Sequence, residues 1–237
     1  MQCYRQLNPV KAMTFDLDDT LYDNRPVIRR VEEQMVVWLH THHPLTASES
    51  HNWWTALKIR LAQLEPALRH DVTLWRFRQI EQGLIELGYT PAQAELTAQA
   101  AIEEVLRLRS DFTVPQETHR VLGQLAQRMP LVAITNGNVD AERIGLAGYF
   151  QRVLKAGPDG RAKPYPDMFD QAREQLGLDA AEILHVGDHP VTDVAGALDN
   201  GFMACWFNDQ PANLRENRKA RLLPHLTISR LEQLLAL

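Results

Sequence analysis

The spacing of apolar positions changes twice along the chain. Residues 10–15 form a short, mostly apolar run of the kind that makes a buried strand. After Tyr22 the spacing turns helical. Val31, Met35, Trp38 and Leu39 recur at helical intervals, and Phe77, Ile80, Leu84 and Leu87 make another stripe, closed by Gly88. Thr46 with Glu49, and Thr90 with Pro91 and Gln93, read as helix starts in which a side chain caps unpaired backbone N–H groups. Residues 26–109 carry hardly any strand signal, which predicts a four-helix insert of roughly domain size.

From Asp111 onward helix and strand alternate. Residues 114–129 read as a helix with Pro115 near its first turn, and 131–134 as a buried strand ending in Thr135-Asn136-Gly137. A short strand is expected at 153–155, a helix at 164–176 ended by Gly177, and a strand at 183–186 followed by the turn Gly187-Asp188. A helix through Ala197 and a strand at 203–207 complete the series. Continuous apolar strands alternating with helices predict an α/β fold, a doubly wound parallel sheet. Its core would comprise residues 1–22 and 111–237, with the helical insert, residues 23–110, acting as a cap. The charged run at 215–221 reads as a solvated face.

Composition narrows the class. At 237 residues and 45% hydrophobic content the chain can bury a sizeable core. A net charge of −5 and a pI near 6 argue against a nucleic-acid partner. Two cysteines, Cys3 and Cys205, imply no disulfide framework, and Cys205 reads as a buried strand residue without a redox role. The N-terminus lacks the apolar stretch of a signal peptide, and no apolar run reaches membrane-spanning length. The expectation is a soluble, cytoplasmic protein with no membrane partner. His40, His42 and His43 resemble a metal cluster but fall where a helix should fray, which favours solvated imidazoles. Four of the five tryptophans, Trp38, Trp53, Trp54 and Trp75, lie in the insert. Aromatics on helices are more often core than a ligand platform, but Trp53 and Trp54 are adjacent and cannot share one helical face, which leaves one ring able to face the crevice and stack on a flat ligand.

The chemistry concentrates in Thr14-Phe15-Asp16-Leu17-Asp18-Asp19-Thr20-Leu21. Three carboxylates in four residues repel one another unless a divalent cation sits among them; the alternative is an acidic turn at a strand end. Asp16 and Asp18 are two apart and would share a side in extended backbone. Thr135-Asn136 and Asp188 likewise follow apolar strands directly. In an open parallel sheet the carboxyl ends of strands line one crevice, so these distant residues converge. Lys163, before Pro164 at a helix start, can reach the same place.

Asp16-Leu17-Asp18-Asp19-Thr20-Leu21, Thr135-Asn136-Gly137, Lys163-Pro164 and Gly187-Asp188 with Asp193 resemble, in order and spacing, the four motifs of the haloacid dehalogenase-like hydrolase superfamily. The helical insert resembles that family's cap, and His70-Asp71-Val72-Thr73 with Trp75-Arg76-Phe77-Arg78 is similar to the flavin mononucleotide and riboflavin-pathway phosphatases. The resemblance implies a nucleophile at Asp16 and a general acid–base at Asp18. It implies Mg²⁺ held by the Asp16 carboxylate, the Asp18 carbonyl and the Asp188 carboxylate. Thr135 and Asn136 would cradle the phosphoryl oxygens, and Lys163 would neutralise Asp16 and the transferring group. Asp193 would support the metal from behind or cap the next helix, and His189 stands where some relatives carry another acid. Trp75 and Arg76 would face the substrate or lie in the cap core and on a solvated face. The implied substrate is a small phosphate ester, flavin mononucleotide or the phosphorylated pyrimidine of riboflavin synthesis. Alternatives are a phosphatase or phosphomutase of sugar phosphates or nucleotides, and a catalytically silent ligand-binding module. Asp18 argues against a metal-free dehalogenase, which lacks that acid.

Overall fold

Two stretches of the chain pack by different rules, and the computed structural model, which describes residues 1–209 and 222–237, divides accordingly into two compact units. The first comprises residues 1–24, 113–137 and 141–237; the second comprises 25–112 with 138–140.

The first unit is built on a seven-stranded sheet. Its strands are β1 (Gln2–Cys3), β2 (Ala12–Phe15), β3 (Leu131–Thr135), β4 (Arg152–Lys155), β5 (Ile183–Gly187), β6 (Met203–Phe207) and β7 (Leu226–Ile228), in the order β1-β7-β6-β5-β2-β3-β4. All neighbours are parallel except β1 and β7. This is the expected doubly wound α/β fold. β2, β3 and β5 are buried throughout, the unbroken apolar pattern that a sheet covered on both faces requires. The order reverses at β2: the chain leads to β3 on one side and β5 on the other. That reversal opens the crevice at the carboxyl ends of the strands.

Flanking helices are shorter than the sequence pattern suggests. The helix expected at 114–129 is α5 (Gln116–Ala126), with Pro115 as the residue before it rather than inside it. The helix expected from Pro164 is α6 (Asp167–Leu176), ended by Gly177 in the left-handed conformation at φ 62°. Its late start has a local cause: residues 163–165 are engaged in a turn in which Tyr165 N–H donates to the Ala162 carbonyl. After β5, residues Pro190–Ala195 form a wide π-type turn that runs into the single turn α7 (Gly196–Asp199). β1 and β7, two and three residues long, are too short to leave a periodic signature. The charged run at 215–221 lies outside the described residues.

The second unit contains four helices, α1 (Arg25–His42), α2 (His51–Leu64), α3 (Val72–Glu86) and α4 (Pro91–Arg109). Val31, Met35, Ile80, Leu84, Ala94, Ala98 and Val105 are among the buried residues of its core. Thr90 and Gln93 form the capping box of α4 as expected. Thr46 does not begin a helix: it is buried in the 3₁₀ turn Pro44–Ser48, where its hydroxyl donates to the His43 carbonyl. Ser50 takes the capping role instead, its Oγ accepting from Trp53 N–H at 3.3 Å. The loop after β3 contributes residues 138–140 to this unit: Asn138 Nδ2 donates to Thr73 Oγ1, and Asp140 N–H to Ser110 Oγ. Among the described residues no helix is long and apolar enough to cross a membrane.

Candidate active site

At the end of β2 the backbone leaves the sheet through Asp16, whose N–H still pairs with the Val186 carbonyl of β5 at 2.9 Å. The chain then turns tightly, with Leu21 N–H bonding to the Leu17 carbonyl. Asp19 absorbs the turn at φ 57°, a left-handed conformation that Asp tolerates better than most residues. Its carboxylate accepts the Asn24 N–H at 2.8 Å. The Asp18 carboxylate is fixed from the other side of the turn: Tyr22 Oη donates to its Oδ1 at 2.5 Å. Gly137 completes the enclosure, since a Cβ there would run into the Asp18 carboxylate.

β3 delivers Thr135 and Asn136. The Thr135 hydroxyl accepts Gly137 N–H at 3.0 Å, which leaves its own proton available to a ligand oxygen. The Asn136 side chain clasps the Lys163 backbone: Nδ2 donates to the Lys163 carbonyl at 3.0 Å and Oδ1 accepts its N–H at 2.7 Å. Asn136 is thus engaged in aiming Lys163. The Lys163 ammonium is almost wholly buried and donates to Asp16 Oδ1 at 2.7 Å, to Asp193 Oδ1 at 2.6 Å and to the Ile134 carbonyl at 2.6 Å. Its three protons are all used.

β5 and the turn after it supply Asp188 and Asp193. Thr20 Oγ1 donates to Asp188 Oδ1 at 3.4 Å, and the Trp206 indole N–H to the Asp188 carbonyl at 2.7 Å. Asp193 is buried and accepts from Lys163, from His185 Nε2 at 3.2 Å and from His189 N–H at 2.9 Å. It supports the cluster rather than capping a helix. That capping role belongs to His189, whose Nδ1 accepts from the N–H groups of Val191 and Thr192. His185 is held at its other nitrogen by Thr14 Oγ1 at 2.8 Å.

The electrostatics show a site short of positive charge. Burial opposes the Asp193 carboxylate, but Lys163 and His185 outweigh it and hold this carboxyl well below its usual range. Burial likewise works against the Lys163 ammonium, yet Asp16 and Asp193 keep it above the ordinary lysine value. One ammonium cannot neutralise two carboxylates. Asp16 is left short: burial pushes its carboxyl well up despite Lys163, and the charges of Asp193 and Asp18 add to the rise. Burial, then Asp193 and Asp19, raise Asp188 to about 7. Carboxylate oxygens of Asp16, Asp188 and Asp193 lie within 4.8 Å of one another. An all-oxygen donor set in this state matches a hard divalent cation such as Mg²⁺. Asp16 and Asp188 are the better ligands, because the oxygens of Asp193 are already committed.

In the helical unit, the Trp75 indole N–H donates to the Lys58 carbonyl at 2.9 Å, and Arg76 is ion-paired with Glu32. His42 Nδ1 pairs with the Trp38 carbonyl, and the imidazoles of His42 and His43 pack against the Trp38 ring. The metal-ligand geometry among the described residues is that of the aspartates alone. Cys205 is buried, which pushes its thiol well up and leaves it inert. Sequence reasoning gave no role to Tyr22 or His185, and named Gly137 only as part of a motif. Only Gly137 carried a signal, as a glycine directly after a polar strand end.

A family described as haloacid dehalogenase-like hydrolase matches residues 10–201. The chain is 47% identical to the Escherichia coli (strain K12) protein 5-amino-6-(5-phospho-D-ribitylamino)uracil phosphatase YigB, over all of both chains. It is 30% identical to the phosphoserine phosphatase of Thermus thermophilus over 84% of this chain and 89% of that one. Among solved structures it resembles a 2-haloacid dehalogenase from Pseudomonas syringae pv. Tomato DC3000, with a TM-score of 0.90 and 35% identity over 96% of this chain and 97% of that one. The chain belongs to the haloacid dehalogenase-like hydrolase family, in which it is a phosphatase.

Proposed function

We propose that the chain hydrolyses a small phosphate monoester through an aspartyl-phosphate on Asp16, with 5-amino-6-(5-phospho-D-ribitylamino)uracil as its substrate. The observation that carries the reaction is the pairing of two unlike carboxylates. Asp16 is buried against Lys163, and Asp18 is partly exposed and aimed by Tyr22. The substrate rests on the 47% identity to the phosphatase that carries that name.

An Asp16 oxygen attacks phosphorus, forming the P–O bond to the enzyme as the P–O ester bond breaks. Asp18, protonated at that moment, gives its proton to the departing alkoxide. Its carboxylate then takes a proton from water, the water oxygen attacks phosphorus, and the acyl-phosphate bond breaks to release inorganic phosphate and the Asp16 carboxylate. Lys163 balances charge beside Asp16 throughout, and Thr135 Oγ1 offers a proton to a phosphoryl oxygen. Asp16, Asp188 and the Asp18 carbonyl would hold Mg²⁺. Bound there, it would supply the positive charge that keeps Asp16 ionised and neutralises the phosphoryl group.

The dehalogenase among the structural neighbours raises a rival, in which Asp16 would displace halide. Asp18 speaks against it, because halide departure needs no proton. The experiment is a panel: the ribitylaminouracil phosphate, flavin mononucleotide, a sugar phosphate, a nucleotide and 2-chloropropionate, each with Mg²⁺ and with excess chelator. Phosphate release that is highest in kcat/KM on the uracil ester and lost in chelator is expected. Preference for another ester overturns the substrate, and chloride release that survives chelation overturns the reaction.

A further inference from the structure

The helical unit encloses a cavity of about 380 Å³ between α1, α2 and α3, lined only by residues of that unit. That is the size of a small-ligand pocket. Its walls are of two kinds. Met35, Leu39, Ile80 and Val105 give an apolar floor, and Trp54 adds an aromatic residue to the wall. Trp54 is locked in place: its ring fills the space left by Gly83, where any Cβ would overlap it, and Gln79 Nε2 holds its carbonyl at 2.8 Å.

The other wall is charged, with Lys58 and Arg76 set beside Glu32 and Glu49. Arg76 is engaged with Glu32. Lys58, half-buried beside it, has no ion-pair partner among the described residues, and its ammonium rests over the Trp75 ring, 4.7 Å from the centroid. Burial, and then the charge of Arg76, hold this ammonium below the ordinary lysine range. Glu32 offsets this charge only from a distance, being itself paired with Arg76, so among the described residues no carboxylate is in contact with the Lys58 ammonium on the cavity side.

We infer that this cavity is a ligand site for a small planar anion, an aryl or heteroaryl carboxylate, whose charge pairs with Lys58 and whose ring lies on Trp54. The apolar floor matches the ring, and the rigid aromatic wall reduces the ordering cost of binding. The site is separate from the carboxylate cluster in its residues and does not depend on the phosphatase reading.

The test is calorimetric titration of the full chain with benzoate and with orotate, and with neutral uracil for comparison. Saturable binding of the carboxylates is expected, with uracil at least tenfold weaker. Lys58→Met should weaken carboxylate binding at least tenfold without moving the melting temperature by more than a few degrees. Val36→Phe, which fills the cavity from its exposed edge and leaves every charge in place, should abolish binding. Asp16→Asn should leave the affinity unchanged, and millimolar inorganic phosphate should not displace either carboxylate. The inference is overturned by absent saturation, by undiminished affinity in folded Lys58→Met or in Val36→Phe, or by displacement with phosphate, which would put the probes at the Asp16 site.

Discussion

The two units handle charge in opposite ways. In the helical unit, ion pairs such as Arg60–Glu86, Arg78–Glu81 and Arg107–Glu104 lie toward solvent, where such contacts contribute about 0–1 kcal/mol each. Its core is mainly apolar, with Arg109 of α4 as the one fully buried charged side chain among its described residues. In the sheet unit, a buried lysine holds two buried aspartates, and the surrounding backbone is bent to keep them there: Asp19 adopts a positive φ, and Gly137 makes room for Asp18. A buried ion pair rarely adds stability over a well-packed apolar replacement. The sheet unit therefore carries its charges for chemistry, whereas the helical unit is organised for packing.

The largest expected effect separates these two roles. Asp16→Asn should lower turnover by about 10⁴-fold or more, since removing a covalent nucleophile leaves only binding and charge stabilisation. It should not lower the melting temperature of the metal-free protein, because it removes a carboxyl that burial disfavours in its charged form. Leu84→Ala should do the reverse. Leu84 is fully buried in the helical core, and its truncation should cost about 2–5 kcal/mol in chemical denaturation. Substantial turnover by Asp16→Asn in single-turnover assays would break the distinction.

How much was legible in the sequence follows the same division. The α1 and α3 stripes were readable because a helix facing one core repeats its apolar positions every three to four residues, and α4 was readable from its Thr90–Gln93 capping box. The sheet strands were readable as mainly apolar runs, and the three polar strand ends pointed to one crevice. What stayed hidden depends on tertiary closure. Tyr22 is one of several tyrosines until the turn brings it onto Asp18. His185 sits inside an apolar strand, and its partners Thr14 and Asp193 lie 171 and eight positions away. Asn136 was expected to help cradle the phosphoryl oxygens through neighbouring N–H groups, and the clasp of its side chain on the Lys163 backbone, 27 positions away, left no trace in the sequence pattern. Thr46 was misplaced as a helix start because its spacing to Glu49 copies a capping box, whereas the helix begins at the N-cap Ser50, four residues later.

The second effect sharpens the contrast between the two carboxylates. Asp18→Asn should reduce kcat about 10²–10⁴-fold on an alkyl phosphate and much less on p-nitrophenyl phosphate, whose leaving group needs little protonation. Tyr22→Phe, which removes the hydroxyl on Asp18 Oδ1, should follow the same leaving-group order with a smaller loss. Equal losses on both esters would remove Asp18 from the acid role.

Lys163→Met comes next, and it acts on stability as well as rate. It strands Asp16 and Asp193 without their shared cation, and breaking a buried pair from one side costs about 3–5 kcal/mol. Lys163→Arg should rescue little, because three acceptors surround a compact ammonium and not a planar fork. A swap of similar size in the helical core, Leu84→Met, should cost less than about 1.5 kcal/mol. Denaturation midpoints of the three variants measure the contrast directly. A mild Lys163→Met would show that the sheet unit tolerates loss of its charge as the helical unit tolerates repacking.

The smallest effect concerns His185, which among the described residues of the sheet unit is the one imidazole both buried and bonded at each nitrogen, to Thr14 and to Asp193. Burial holds its pKa below the ordinary histidine value, so the folded protein keeps it neutral where the unfolded chain takes up a proton. The sign follows. Above about pH 6.5 neither state is protonated and His185 imposes no penalty. As pH falls from there toward the lowered folded value, only the unfolded state gains the proton, and stability is lost at up to about 1.4 kcal/mol per pH unit. His185→Gln has no such proton to gain. The difference in unfolding free energy between the native chain and this variant should therefore be flat above about pH 6.5 and tilt toward the variant below it. Taking the difference cancels the titrations of the aspartates that His185 does not touch; Asp193, which His185 helps to hold low, is the exception. A difference that stays flat down to pH 5 would mean that the folded protein accommodates the imidazolium, with Asp193 as its counter-ion, and the Thr14–His185–Asp193 chain would then carry a charge that its burial argues against.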